Sequence, residues 1–244
     1  MKVGIGTSVI TPALSAPLAG YYYARSAEGI HDDLRAKCVV MDDGQSQVAL
    51  VACDLIEMRG DVVRWSREQI EKEFGIAPDH VLISATHCHT APHLTPEYKA
   101  SLCGQIVESV AEAVRQKRPA RLFVTTEQER LLPHNRRYLM KDGRVLTNPG
   151  FLNPDVVRAV GPTDPRVSVL YAQDERGEPL LTWVNYAMHL DTVGGAWISA
   201  DYPYYLSRVL SNAKGSDMLT IFTIGAAGDI NHWDVRRPGP QRGF

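Results

Sequence analysis

LISATHCHTAPH, residues 82–93, is an apolar run that breaks into three histidines, His87, His89 and His93. The chain has only 8 histidines in 244 residues. The apolar part has the length and β-branched content of a buried strand, and the histidines stand at its end. In an extended segment, side chains two apart point the same way. His87 and His89 are therefore predicted to share a face, with Cys88 on the other. Such a His-x-His pair can present two neutral imidazoles to one metal, or give one ring to a metal and the other to a substrate. It can also be a hydrogen-bonded pair bracketing a turn.

Three more apolar runs end in the same manner. QVALVACD ends at Asp54, LLTWVNYAMH at His189 and LTIFTIGAAGD at Asp229. Loops at strand ends are where a rigid scaffold presents functional groups. His189 adds a third nitrogen donor, the number a catalytic zinc site with an open position uses. Asp54 reads either as a hydrogen-bond partner of a ligand histidine or as a cap of the following segment. Asp229 sits on a Gly-rich turn and reads either as an Asx turn or as a ligand-facing group. Arg136 and Arg137 follow His134. A guanidinium there could hold a carboxylate or an oxyanion, or simply lie exposed at a hairpin base. His93, His31 and His80 read as ordinary loop or surface residues.

Around this cluster the elements alternate. Residues 2–6 read as a strand, and 34–41 with 46–53 as a hairpin turning on DDGQ. Residues 60–74 read as a helix stopped by Gly75 and Pro78, with Val63, Trp65, Ile70 and Phe74 apolar. Residues 96–116 carry Tyr98, Leu102, Ile106, Val110 and Val114 every four positions, a helical stripe. A strand follows at 120–126, then a hairpin over YLMKDGRVLT. Residues 147–165 read as a long surface loop. A third hairpin spans 166–173 and 180–188, followed by a helix at 203–213 and the strand MLTIFTI. The predicted class is α/β: a mixed β-sheet core with flanking helices, several hairpins and an active site at the C-terminal ends of strands.

Composition limits the function classes. The chain is 44% hydrophobic and 22% charged with a formal net charge of -2. No basic surface for nucleic acid is indicated. No apolar stretch reaches the ~20 residues of a membrane helix, and residues 1–12 carry no signal-peptide pattern. The reading is a soluble chain of unassigned compartment, with secretion or a periplasmic location open if a signal has been removed. The 4 cysteines form no CxxC and read as small buried hydrophobes.

Eight stretches, in order along the chain, resemble the N-terminal catalytic region of neutral/alkaline non-lysosomal ceramidases and their bacterial relatives. They are VGIGTSVITP, GIHDDLRAKCVVMDDG, VALVACDL, LISATHCHTAPH, NRRYLMKDG, NYAMH, ISADYP and FTIGAAGDIN. The resemblance implies a zinc-dependent hydrolase of an N-acyl (amide) bond, acting on a lipid or small-molecule substrate in sphingolipid metabolism. It implies His87 and His189 as zinc ligands, and His89 and Arg136 as groups that contact the substrate or its reacting carbonyl. Family members complete the Zn2+ site with a Glu and a Tyr from a later part of the chain. The expectation is one ceramidase-like domain, residues 1–244, cut short at its C-terminal end within PGPQRGF, whose partner is its own C-terminal region. The family's HTHSGP stands here as HCHTAP, and a Ser-Pro-Asn run as INHW, which leaves lipid specificity open. Two other functions remain: an inert fold unit lacking the downstream ligands, and a zinc hydrolase of another bond, such as an ester.

Overall fold

A computed structural model describes residues 1–215 and 218–239. Most of PGPQRGF lies outside the described residues. The main sheet uses β1 (Lys2–Val9), β2 (Arg35–Asp42), β3 (Gln47–Cys53), β4 (Val81–Ala85), β5 (Arg118–Gln128), β6 (Arg166–Asp174), β7 (Pro179–Tyr186) and β8 (Leu219–Ile224). Three helices accompany it: α1 (Gly60–Phe74), α2 (Pro96–Arg115) and α3 (Tyr202–Lys214). The spatial order is β8-β7-β6-β5-β1-β2-β3-β4. β3 runs parallel to β4, and β7 parallel to β8; the other neighbours are antiparallel. The sheet is therefore mixed, as expected for this α/β chain.

Its two halves are joined narrowly. β5 pairs with β6 from Ala120 to Gln128, yet it meets β1 only through Lys2↔Pro119 and Val3↔Arg118. Beyond Pro119 no other described strand lies on that edge of β5, and Phe123 and Val124 are exposed. The halves then fold over one another. Val3, Val39 and Ala52 of one half pack with Ala172, Leu181 and Ile221 of the other. β8 thereby approaches β2, β3 and β4. This folding matters for function. Counted along the sheet, β4 and β7 point in opposite senses, so a flat sheet would keep their C-terminal ends apart.

The opposite face of the first half carries α2, with α1 packed beside it, while α3 lies against β8. Leu102, Ile106 and Val110, the centre of the four-residue stripe, are fully buried on α2, each stabilising the fold by roughly 1.5–3 kcal/mol. The helix seats directly on strand backbone. A Cβ on Gly4 would lie 1.8 Å from the Ala113 carbonyl oxygen, and one on Gly6 2.1 Å from that of Ser109. Only glycine permits that approach. Thr95 caps α2 by accepting the Tyr98 amide at 3.3 Å, and α1 ends on Gly75 in the left-handed conformation, as its sequence predicted.

The structure departs from the sequence reading in a few places. β1 continues to Val9 because Thr7 and Ser8 find partners on α2: the Thr7 amide donates to Glu112 and the Ser8 hydroxyl to the Gln105 carbonyl. Within 147–165, Val156–Ala159 forms a strand that pairs with Arg137–Met140, making a three-stranded sheet with Val145–Thr147. Trp65 is 43% exposed, since α1 packs through Val62 and Ile70. All four cysteines are free and buried, as read from the sequence. No described helix is long and apolar enough to cross a membrane.

Candidate metal centre

β4 stops at Ala85, two residues before the first histidine. The chain then wraps over the end of β3. The Thr86 amide donates to the Cys53 carbonyl at 2.9 Å, and the His87 and Cys88 amides both donate to Leu55 at 2.8 and 2.9 Å. Closing this turn places His87 at φ 72, in the left-handed region. The expected alternation on one strand face is therefore corrected: His87 and His89 lie beyond the strand, and the turn rather than the pleat brings them together. Non-glycine residues held there cost on the order of 1–3 kcal/mol, and such strain clusters at functional sites.

The second half of the sheet supplies the partner. Beyond β7 the chain runs parallel to residues 87–89, with a bridge between Cys88 and Leu190 and the His89 amide donating to the Leu190 carbonyl at 3.1 Å. Residues about a hundred positions apart are thus in register. His189 is 5% exposed. Its Nε2 lies 3.1 Å from His87 Nε2, and His89 Nε2 lies 3.3 Å from the same atom. The three nitrogens lie within 4.8 Å of one another.

The chemistry of this donor set fits a metal ion. His87 Nδ1 is 2.9 Å from the Ile56 carbonyl oxygen, and His189 Nδ1 is 2.8 Å from that of Ala227. A carbonyl oxygen only accepts, so both Nδ1 atoms carry the proton and both Nε2 atoms present a lone pair. Two bare lone pairs 3.1 Å apart repel unless a proton or cation lies between them. Two nitrogens on one tetrahedral zinc, each at ~2.0–2.1 Å, stand roughly 3.3 Å apart. Burial lowers the pKa of His89 to about 4, against the opposing pull of Asp191, and burial likewise lowers that of His189. The neutral imidazole that a metal requires is favoured.

His89 is held differently. Its Nδ1 makes no well-formed hydrogen bond, and the backbone of Gly20 lies near it. A Cβ on Gly20 would come 2.9 Å from His89 Cα and 3.0 Å from its Cγ. Tyr21 stands edge-on to the imidazole, ring centroids 5.7 Å apart, and its hydroxyl donates to Asp191. Gly20, Tyr21 and Asp191 were not singled out in the sequence. Nothing in their spacing connects residues 20–21 with 89 and 191.

Arg136 reaches the same region from a short strand pair, His134–Asn135 with Ile230–Asn231. Its amide donates to the Asp229 carbonyl at 2.7 Å and its guanidinium to the Gly228 carbonyl at 2.6 Å. Its charge acts on His189. Asp229 itself accepts from Asn135 Nδ2 at 2.7 Å, so it ties the arginine's strand to the turn after β8. Asp54 fulfils neither role left open for it. It is buried beside Lys37 at 3.5 Å and accepts the Arg35 amide at 3.0 Å, which locks β2 to the end of β3. His93, His31 and His80 are exposed and stand outside the cluster.

No family model matches the chain. It is similar in sequence to neutral ceramidases A and B of Dictyostelium discoideum, each 25% identical over 96% of this chain and 35% of theirs. The crystal structure of neutral ceramidase from Pseudomonas aeruginosa has the same fold, with a TM-score of 0.79 over 94% of this chain and 39% of that one, at 22% identity. A ceramidase complexed with C2 superposes with a TM-score of 0.78 over 95% of this chain and 38% of that one, at 23% identity. The chain thus spans about a third of the length of the sequence relatives that it matches. The resemblance read from the eight stretches is borne out in sequence and in fold.

Proposed function

We propose that this neutral-ceramidase-like chain carries the first part of a zinc-dependent amide hydrolase whose substrate is an N-acyl lipid of the ceramide class. In this reading residues 1–244 act as one catalytic domain. The observation that carries it is the convergence of three imidazole Nε2 atoms, two of them facing at 3.1 Å with their Nδ1 protons committed to backbone carbonyls. His87 and His189 are the metal ligands, each fixed in tautomer and ring plane by its carbonyl. Zinc at such a site supplies Lewis acidity, lowering the pKa of water from 15.7 toward roughly 7 and polarising a carbonyl.

The chain's own groups divide the remaining work. His89, neutral near pH 7 and not anchored through Nδ1, takes a proton from the attacking water and returns it to the departing amine. Arg136 faces the charge that grows on the acyl oxygen, where one donor contributes on the order of 3–4 kcal/mol. The turns around the cluster bury His189, half-bury His87 and His89, and limit the access of bulk water to these hydrogen bonds.

A second reading rests on the same cluster. Among the described residues the metal-competent group consists of the three histidines alone, so this chain binds metal without turning over until further groups join it. One experiment separates the two. Zinc content is measured for the chain and for His87→Ala and His189→Ala, and hydrolysis of a fluorescent N-acyl sphingosine and its ester analogue is followed with and without added zinc. Amide cleavage that needs zinc and both histidines supports the hydrolase. Zinc bound without cleavage supports the second reading. Equal zinc in the chain and both variants removes the basis of each.

A further inference from the structure

We infer that Arg25 is a positioning residue that aims His89 at the reacting carbonyl, an inference that rests on the hydrolase reading above. Arg25 stands in YYYAR, far in sequence from every histidine of the cluster. Its guanidinium donates to three backbone carbonyls from three loops: Ala19, His89 at 2.7 Å and Gly195 at 2.5 Å. Its Cζ lies 4.0 Å from the centroid of the Tyr21 ring. That ring stands edge-on to His89, and its hydroxyl is held by Asp191. One cation therefore fastens the His89 main chain, the loop after His189 and the aromatic wall beside the imidazole.

The need for such a clamp follows from how the three rings are held. His87 and His189 are oriented through their own Nδ1 atoms. His89 lacks a well-formed bond there. Its direction is set by its main chain and by the surfaces of Gly20 and Tyr21. Arg25 holds the His89 main chain and the Tyr21 ring directly, and reaches Gly20 through the preceding Ala19 carbonyl. A planar fork that donates in several directions while stacking on a ring is specific to arginine; lysine offers one compact charge without the stacking plane. Losing Arg25 leaves three carbonyl oxygens facing an empty space, and the His89 segment drifts while the metal ligands stay in place. Misplacing a catalytic group by about 1 Å costs about 10²-fold in rate.

The test uses the full chain with Arg25→Ala and Arg25→Lys. Zinc content, thermal midpoint, kcat and KM are measured, with and without low, non-denaturing guanidinium. The expected result is full zinc content in both variants, kcat reduced about 10²-fold in Arg25→Ala with KM little changed, and partial recovery by guanidinium in that variant only. Unchanged kcat would overturn the inference. So would loss of zinc alongside activity, or a fall in kcat that guanidinium does not restore and that tracks a lowered midpoint. If the unsubstituted chain cleaves no N-acyl substrate, the hydrolase reading fails by itself. The clamp is then judged by 15N signals of the histidine rings. Arg25→Ala should move those of His89 and leave those of His87 and His189; movement of all three, or of none, refutes it.

Discussion

Zinc should raise the melting temperature of this chain, and His87 and His189 should be required for the effect. The fold holds the Nε2 atoms of His87 and His189 3.1 Å apart, and the unfolded chain does not. A ligand that binds only the folded state stabilises it by about 2.7 kcal/mol at a hundredfold excess over Kd. For a chain of this size each kcal/mol moves Tm by roughly 2–4 °C, so the expected rise is about 5–11 °C. His87→Ala and His189→Ala each remove one of the two carbonyl-anchored donors and should abolish the rise. His89→Ala should retain most of it. Differential scanning fluorimetry after chelator treatment, with zinc titrated back, measures all four proteins. A full rise in either His87→Ala or His189→Ala would refute the assignment, since zinc would then be binding elsewhere. No rise in the unsubstituted chain would refute the site itself.

Other perturbations have directions fixed by the structure. Gly20→Ala places a Cβ 2.9 Å from His89 Cα, at φ 96; it should lower kcat while leaving zinc content unchanged, and the same kcat as the parent would count against the close packing. Asp54→Ala strands the buried Lys37 charge and should cost about 3–5 kcal/mol in urea unfolding, whereas a paired Lys37→Met, Asp54→Leu change should cost much less. Burial raises the pKa of Asp32 above its ordinary value, against hydrogen bonds from Ala200 and Ser199. The folded chain then holds a proton that the unfolded chain releases, so this stability is fully present below the unfolded pKa and is lost as pH rises through the folded one. Asp32→Asn should therefore gain on the parent as pH rises above about 4, and a urea midpoint difference running the other way would contradict that sign.

The local elements were legible because their signals are local. The four-residue stripe on α2, the Asp-Gly turn between β2 and β3 and the Gly75 stop each concern a few neighbouring residues. The histidine cluster was legible for a different reason: four apolar runs ending in histidine or aspartate are an unusual coincidence. Its geometry was not. His87 carries no glycine or asparagine signature for a positive φ, because the conformation is imposed by two amides competing for the Leu55 carbonyl. Asp54 has the sequence context of a site residue, yet its partner Lys37 is a strand neighbour whose charge looks solvent-exposed until the sheet is assembled. Arg25 was invisible for the same reason. Its contacts are with main-chain carbonyls, and a carbonyl leaves no trace in residue identity.

The narrow join between β1 and β5 has a consequence for handling the molecule. Past Ala120, whose amide donates to the Met1 carbonyl, one side of β5 has no partner strand among the described residues, beside the exposed Phe123 and Val124. Such an edge templates the addition of a strand from any other polypeptide. The chain in isolation should therefore self-associate as concentration rises, through main-chain pairing that leaves the histidine cluster untouched.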